Sequence, residues 1–163
     1  MLVADKFLKK ELVDIYEQED DQAVFFSYLS ARLTELGYVE NSYLEAMLER
    51  EAAYPTGLKT PSINVAIPHT DPQHIRQPFI YIVKLVSPVT FGEMGTDNQF
   101  ISAKYAFCLG FDKGEDQLLL LQNLMAMFMD HTFMEQLEVE TKEAKIFDLV
   151  INYFNKEEEC QRI

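Results

Sequence analysis

Residues 63–86 read INVAIPHTDPQHIRQPFIYIVKLV. Two apolar stretches frame this segment. INVAIP is a short strand candidate that ends at Pro68. PFIYIVKLV is almost entirely apolar or aromatic from Phe79 to Val86. A run so rich in Ile and Val suits an interior strand covered on both faces of a sheet. Between the two, the chain turns through prolines and leaves His69 at the exit of the first.

Working outward, PVTF (88–91) starts another short strand, and FISAKYAFCLG (100–110) is a further one, closed by the loop FDKGED (111–116). Upstream, residues 11–17 alternate partly, through Val13, Ile15 and Tyr16, and read as a strand. Acidic residues 19–21 break the chain and cap a helix over 21–36, with Phe25, Leu29, Leu33 and Leu36 on one face and Gly37 as its stop. Asn41 or Ser42 caps the next helix, whose face is Tyr43, Met47 and Leu48 and which runs to about Ala53. YPTGLKTPS (54–62) is a loop. Towards the C-terminus, residues 115–129 place Leu118, Leu121, Met125 and Met129 on one helical face. A helix from about Thr132 follows, then one with the stripe Ile146, Leu149, Val150 and Tyr153. MLVADKFLKK at the start is a short helix or loose lead-in, and the polar tail NKEEECQRI frays. The class is α/β (α+β): a central sheet of four to five strands flanked by helices. One domain is expected over 1–163, with its core at about 11–154.

Composition narrows the function. The 163 residues carry a formal charge of -13, which repels nucleic-acid phosphates and argues against a nucleic-acid binder. Cys108 lies in an apolar run and Cys160 in a charged tail, so neither a disulfide framework nor a zinc cluster is expected. The first ten residues lack the apolar stretch of a leader, and no run approaches the ~18 apolar residues of a membrane span. These features point to a cytoplasmic protein without direct membrane insertion.

Three histidines, His69, His74 and His131, are the candidates for chemistry. His69, Asp71 and His74 crowd within six residues that include Pro72 and directly follow Pro68, poor geometry for a closed metal shell, so no metal is expected, and no cofactor. His69 sits where α/β domains expose their chemistry, at a strand end beside a loop. An imidazole near neutral pH can attack phosphorus through one nitrogen while the other holds its proton through a hydrogen bond to a carbonyl or carboxylate. Thr70 can donate to a bound phosphoryl oxygen. Arg50 can face that group if the YPTG loop packs against the His69 loop. Inert readings compete: a structural histidine in a turn, and a surface ion pair for Arg50. His74 reads as a surface residue and His131 as a helix-end residue. No phosphate-binding glycine loop ending in Lys-Ser or Lys-Thr is present.

The residues RE (50–51), PTGL (55–58), VAIPHT (65–70), KLVSPVTFG (84–92) and EDQLLLLQNLMAMF (115–128) resemble the fructose/mannitol-type IIA domain of the sugar phosphotransferase system. The likeness spans about residues 11–154. IPHT and the acidic-Asp-Gln-Leu run at 115–118 are most similar to the galactitol branch. The resemblance implies a mixed sheet flanked by helices. It implies that His69 accepts a phosphoryl group through Nε2 from the histidine phosphocarrier protein and passes it to a cysteine of a cognate IIB component. Arg50 matches the arginine beside the active histidine, and Glu51 and Thr56 match supporting neighbours. Gln117 stands where the mannitol and fructose branch commonly has a second histidine, so support there comes from hydrogen bonding, unless His74 substitutes. The competing readings are a regulatory IIA-like domain that signals phosphorylation state through protein contacts, and an interaction domain with an inert His69.

Overall fold

A computed structural model describes residues 3–18, 20–112 and 116–161. Glu19 of the expected acidic break, residues 113–115 of the FDKGED loop and the last two residues of the tail lie outside them. The elements are α1 (Val3–Phe7), β1 (Leu8–Tyr16), α2 (Gln22–Glu35), α3 (Tyr43–Ala53), β2 (Gly57–Leu58), β3 (Val65–Ala66), β4 (Phe79–Gly92), β5 (Phe100–Gly110), α4 (Asp116–Met129), α5 (His131–Val139) and α6 (Glu143–Gln161). A single 3-10 turn, Pro72–His74, lies between β3 and β4.

The five strands form one mixed sheet in the order β1-β4-β5-β3-β2. β1 runs parallel to β4 and β3 parallel to β5, while the β4–β5 and β2–β3 pairs are antiparallel. Both faces are covered. On one, Phe79, Tyr81, Val83, Ala106 and Cys108 pack with Phe25, Leu29, Leu33, Tyr43 and Met47 of α2 and α3. On the other, Ile80, Ile82, Phe107 and Leu109 pack with Phe7, Leu120, Leu124, Met134, Ile146 and Val150 of α1, α4, α5 and α6. The unbroken apolar run at 79–83 is thus explained: alternate side chains enter different cores, and each is fully buried. Cys108 is buried within the first core, and Cys160 is exposed.

Local signals set several boundaries. Asp21 caps α2 by accepting from the Val24 N–H at 3.1 Å. Gly37 takes φ 82° just past the end of that helix, a conformation that favours glycine. Asp130 caps α5 by accepting from the Phe133 N–H at 3.0 Å.

Five expectations are corrected. β1 begins at Leu8, not at residue 11, because buried Leu8 already pairs with Ile80. PVTF is no separate strand: β4 continues through Pro88 to Gly92, and the ladder slips between Lys84 and Val89. Residues 86–88 are exposed in that slip, where a proline forfeits no ladder bond. The YPTGLKTPS loop contains β2. Gly57 fits there because it lacks a side chain: a Cβ would stand 2.6 Å from the Gly92 carbonyl oxygen. The stripe expected on α4 faces outward, with Leu118, Met125 and Met129 exposed, whereas Leu120, Leu124, Met127 and Phe128 are buried. The tail does not fray at residue 155. α6 runs to Gln161, and buried Glu158 accepts from the Ala4 N–H at 2.8 Å.

Candidate functional site

The site is built where β3 leaves the sheet. Leu109 of β5 donates its N–H to the Pro68 carbonyl at 2.9 Å, and His69 lies opposite Leu109 in an isolated parallel bridge. The chain then turns through Thr70 and Asp71 into the 3-10 turn. Pro72 at its first position starts that turn without wasting an N–H.

His69 is half-buried. Its Nδ1 lies 2.8 Å from the Ile67 carbonyl oxygen. A carbonyl only accepts, so Nδ1 carries the hydrogen and Nε2 keeps its lone pair in the neutral ring. The tautomer and the ring orientation are both fixed by the backbone two residues upstream.

Arg50 is on the last turn of α3 and is brought to the same loop. Its Nη1 donates to Asp71 Oδ1 at 3.3 Å, and its guanidinium lies 4.8 Å from the centre of the Tyr54 ring. Stacking and pairing hold it in one orientation, yet most of its five N–H donors remain uncommitted. Arg50, Thr70 and Asp71 line one open groove of about 460 Å³ together with Ser42, Tyr54 and His74. Thr70 is buried and donates its hydroxyl to the Asp71 carbonyl at 3.2 Å. Gln117 stands exposed on the first turn of α4 and is not part of that groove's lining.

His69, Asp71 and His74 have separate partners. His69 turns to Ile67, Asp71 to Arg50, and His74 Nδ1 to the Ser42 hydroxyl at 2.7 Å. His131 has other partners, bridging Ser62 at 2.6 Å and Glu135 at 2.9 Å at the start of α5.

Sequence reasoning missed Asp71 as the partner of Arg50. It also missed how Glu51 is used. Glu51 and Thr56 are 4% and 2% exposed. Glu51 accepts from both the Thr56 N–H and the Thr56 hydroxyl, each at 2.6 Å. Burial pushes the Glu51 carboxyl up to about 7, against the downward pull of the two Thr56 hydrogen bonds. The signal in the sequence is a carboxylate on a helix's last turn, five residues before a threonine that follows a proline.

The sequence matches the family described as "Phosphoenolpyruvate-dependent sugar phosphotransferase system, EIIA 2" over residues 6–153. The chain belongs to this family. The chain is 25% identical over 117 residues to the galactitol-specific EIIA component of Escherichia coli K12, covering 72% of this chain and 77% of that one. Its fold is shared with the mannitol IIA enzyme of Escherichia coli, solved in complex with phosphorylated mannitol enzyme IIB. There the TM-score is 0.70 at 20% identity, over 89% of this chain and 97% of that one. It is shared too with the nitrogen regulatory protein IIA-Ntr of Neisseria meningitidis, at TM-score 0.63 and 18% identity over 86% and 97%. The mixed five-stranded sheet of this chain is therefore the family's fold. Among the described residues no helix is long and apolar enough to cross a membrane.

Proposed function

We propose that residues 1–163 act as one phosphocarrier domain in the cytoplasm, with Nε2 of His69 as the phosphoryl acceptor. The observation that carries this is the 2.8 Å contact from Nδ1 to the Ile67 carbonyl, which leaves Nε2 as the nucleophilic nitrogen. The donor is the histidine phosphocarrier protein. In-line attack forms the Nε2–P bond as the donor's N–P bond breaks, and the donor imidazole leaves with the electron pair of that bond. The group then passes to a cysteine of a IIB component, whose sulfur forms the new bond as Nε2 regains its lone pair.

The demand on the protein is positioning and neutralisation of the equatorial oxygens. Arg50 supplies charge and free N–H donors, and Thr70 a hydroxyl that can turn from the Asp71 carbonyl. Gln117 is an amide donor at the start of α4, and a role for it requires the bound group or a docked partner to reach that turn. His74 is engaged by Ser42, which favours the reading in which it does not replace a second histidine. Galactitol-like sugar uptake is supported by the 25% identity to the galactitol-specific component.

Incubation with phosphoenolpyruvate, the first enzyme of the system and the phosphocarrier protein should add one acid-labile phosphoryl group to this chain. His69→Ala should abolish that gain with the circular dichroism spectrum unchanged. Labelling that persists in the variant refutes the assignment.

A further inference from the structure

We infer that Glu51 is a positioning residue for His69, acting through Thr56 and Ile67 to hold the imidazole in its Nδ1–H tautomer. This deepens the reading of His69 as phosphoryl acceptor and rests on it.

Four hydrogen bonds run in sequence. The Glu51 carboxyl accepts from Thr56 twice, at 2.6 Å from the N–H and 2.6 Å from the hydroxyl. The Thr56 carbonyl accepts from the Ile67 N–H at 3.2 Å. The Ile67 carbonyl accepts from His69 Nδ1 at 2.8 Å. Both backbone polar groups of Ile67 are therefore committed, one to Thr56 and one to the imidazole.

The topology makes Glu51 matter. β2 is the edge strand of the sheet and is only two residues long, and it pairs with β3 through Gly57–Ala66 and Leu58–Val65 alone. So short an edge strand has little hold of its own beyond a bridge from Gly57 to Glu93, where the Met94 N–H donates to the Gly57 carbonyl at 2.8 Å, one residue past Thr56. The Thr56–Ile67 bond is the continuation of that ladder at the end nearest His69. Glu51 reaches Thr56 from α3, a rigid element on the other side, and clamps both of its donors. On the opposite flank of β3 the Leu109–Pro68 bond is independent of Glu51, so loss of Glu51 loosens the exit of β3 without freeing it.

The Thr56 hydroxyl can donate to a carboxylate or accept from a carboxamide, so Glu51→Gln retains both contacts: the amide oxygen accepts from the Thr56 N–H and the amide N–H donates to the hydroxyl. Glu51→Leu removes both and leaves a buried N–H without a partner.

The test reads the ring directly. ¹⁵N chemical shifts of the His69 ring should report a protonated Nδ1 and a bare Nε2 in the wild type and in Glu51→Gln, and a mixture of tautomers in Glu51→Leu. Single-turnover transfer from phosphorylated histidine phosphocarrier protein should slow roughly tenfold or more at saturation in Glu51→Leu. The half-saturating concentration should stay unchanged, and Glu51→Gln should restore the rate. A folded Glu51→Leu protein with wild-type ring shifts and wild-type saturating rate overturns the inference. Should Glu51→Leu fail to fold, Thr56→Val removes the hydroxyl bond alone, and wild-type ring shifts and rate in that variant overturn the inference equally. The ring shifts need no donor. Failure of the wild type to accept phosphate would thus sink the carrier reading while the tautomer still decides the link to Glu51.

Discussion

At the scale of single residues, the ring of the proposed acceptor His69 is held by its neighbours, with Nδ1 against the Ile67 carbonyl at 2.8 Å. Glu51 illustrates the cost of burial. Its carboxyl has an ordinary value of 4.5, and burial raises it to about 7. Between those two values the folded protein holds a proton that the unfolded chain has released. Glu51 therefore contributes stability that is complete below about 4.5 and lost as pH rises through about 7. A displacement of this size corresponds to ~3 kcal/mol at most. Urea unfolding of wild type and Glu51→Gln at pH 5 and pH 8 checks it: the stability difference should move in favour of the glutamine by up to that amount at the higher pH. A difference that stays constant with pH would show that Glu51 is ionised throughout. The candidate site was partly legible at this scale. A histidine after a strand and a proline, with a threonine behind it, is a local pattern. The pairing of Arg50 with Asp71 and of Glu51 with Thr56 was not, because each depends on where α3 ends relative to β3, a three-dimensional relation that linear spacing does not carry.

At the scale of elements, periodicity succeeded where one face differed from the other. In α2, Phe25, Leu29 and Leu33 are buried as their spacing predicts. α4 is different because no charged residue occurs from Gln117 to Met129. A helix that is apolar nearly all round carries no pattern to orient it. The stripe Leu118, Leu121, Met125 and Met129 is as regular as the true core stripe, yet Leu118 and Met129 are 66% and 65% exposed while Leu124 and Met127 are fully buried. Substitution separates the two faces. Leu124→Ala should cost about 2–5 kcal/mol in chemical unfolding, as deletion of buried methyl groups leaves a cavity. Met129→Ala should change stability by no more than about 0.5 kcal/mol. Comparable losses at both positions would mean that the outer face of α4 is packed in solution. β4 shows the converse failure: Pro88 looks like a strand break in sequence, but a slipped ladder absorbs it.

At the scale of the whole molecule, the three layers follow from the uninterrupted apolar character of β4 and β5, which requires cover on both faces. The strand order does not follow, since β1 and β4 pair across α2, α3 and two other strands. The covering layer of α1, α4, α5 and α6 is drawn from both ends of the chain. Its closure depends on contacts between sequence-distant segments: Ala4 is fully buried, and its N–H donates to Glu158, 4% exposed, at 2.8 Å. The same layer is tied to the sheet by Lys84, which donates to the Glu138 carbonyl at 2.7 Å, and by the Tyr105 hydroxyl, which donates to the Leu137 carbonyl at 2.6 Å. Glu158 lies in a stretch, NKEEECQRI, whose composition reads as a solvated tail, so its structural role is invisible without the fold. Leaving a buried backbone N–H without its partner costs about 1–3 kcal/mol. Glu158→Ala should therefore lower unfolding free energy by an amount in that range and raise amide hydrogen exchange in α1 and in the last turns of α6 together. Exchange that rises in α6 alone, with α1 unchanged, would show that the two ends are held independently and that Glu158 does not join them.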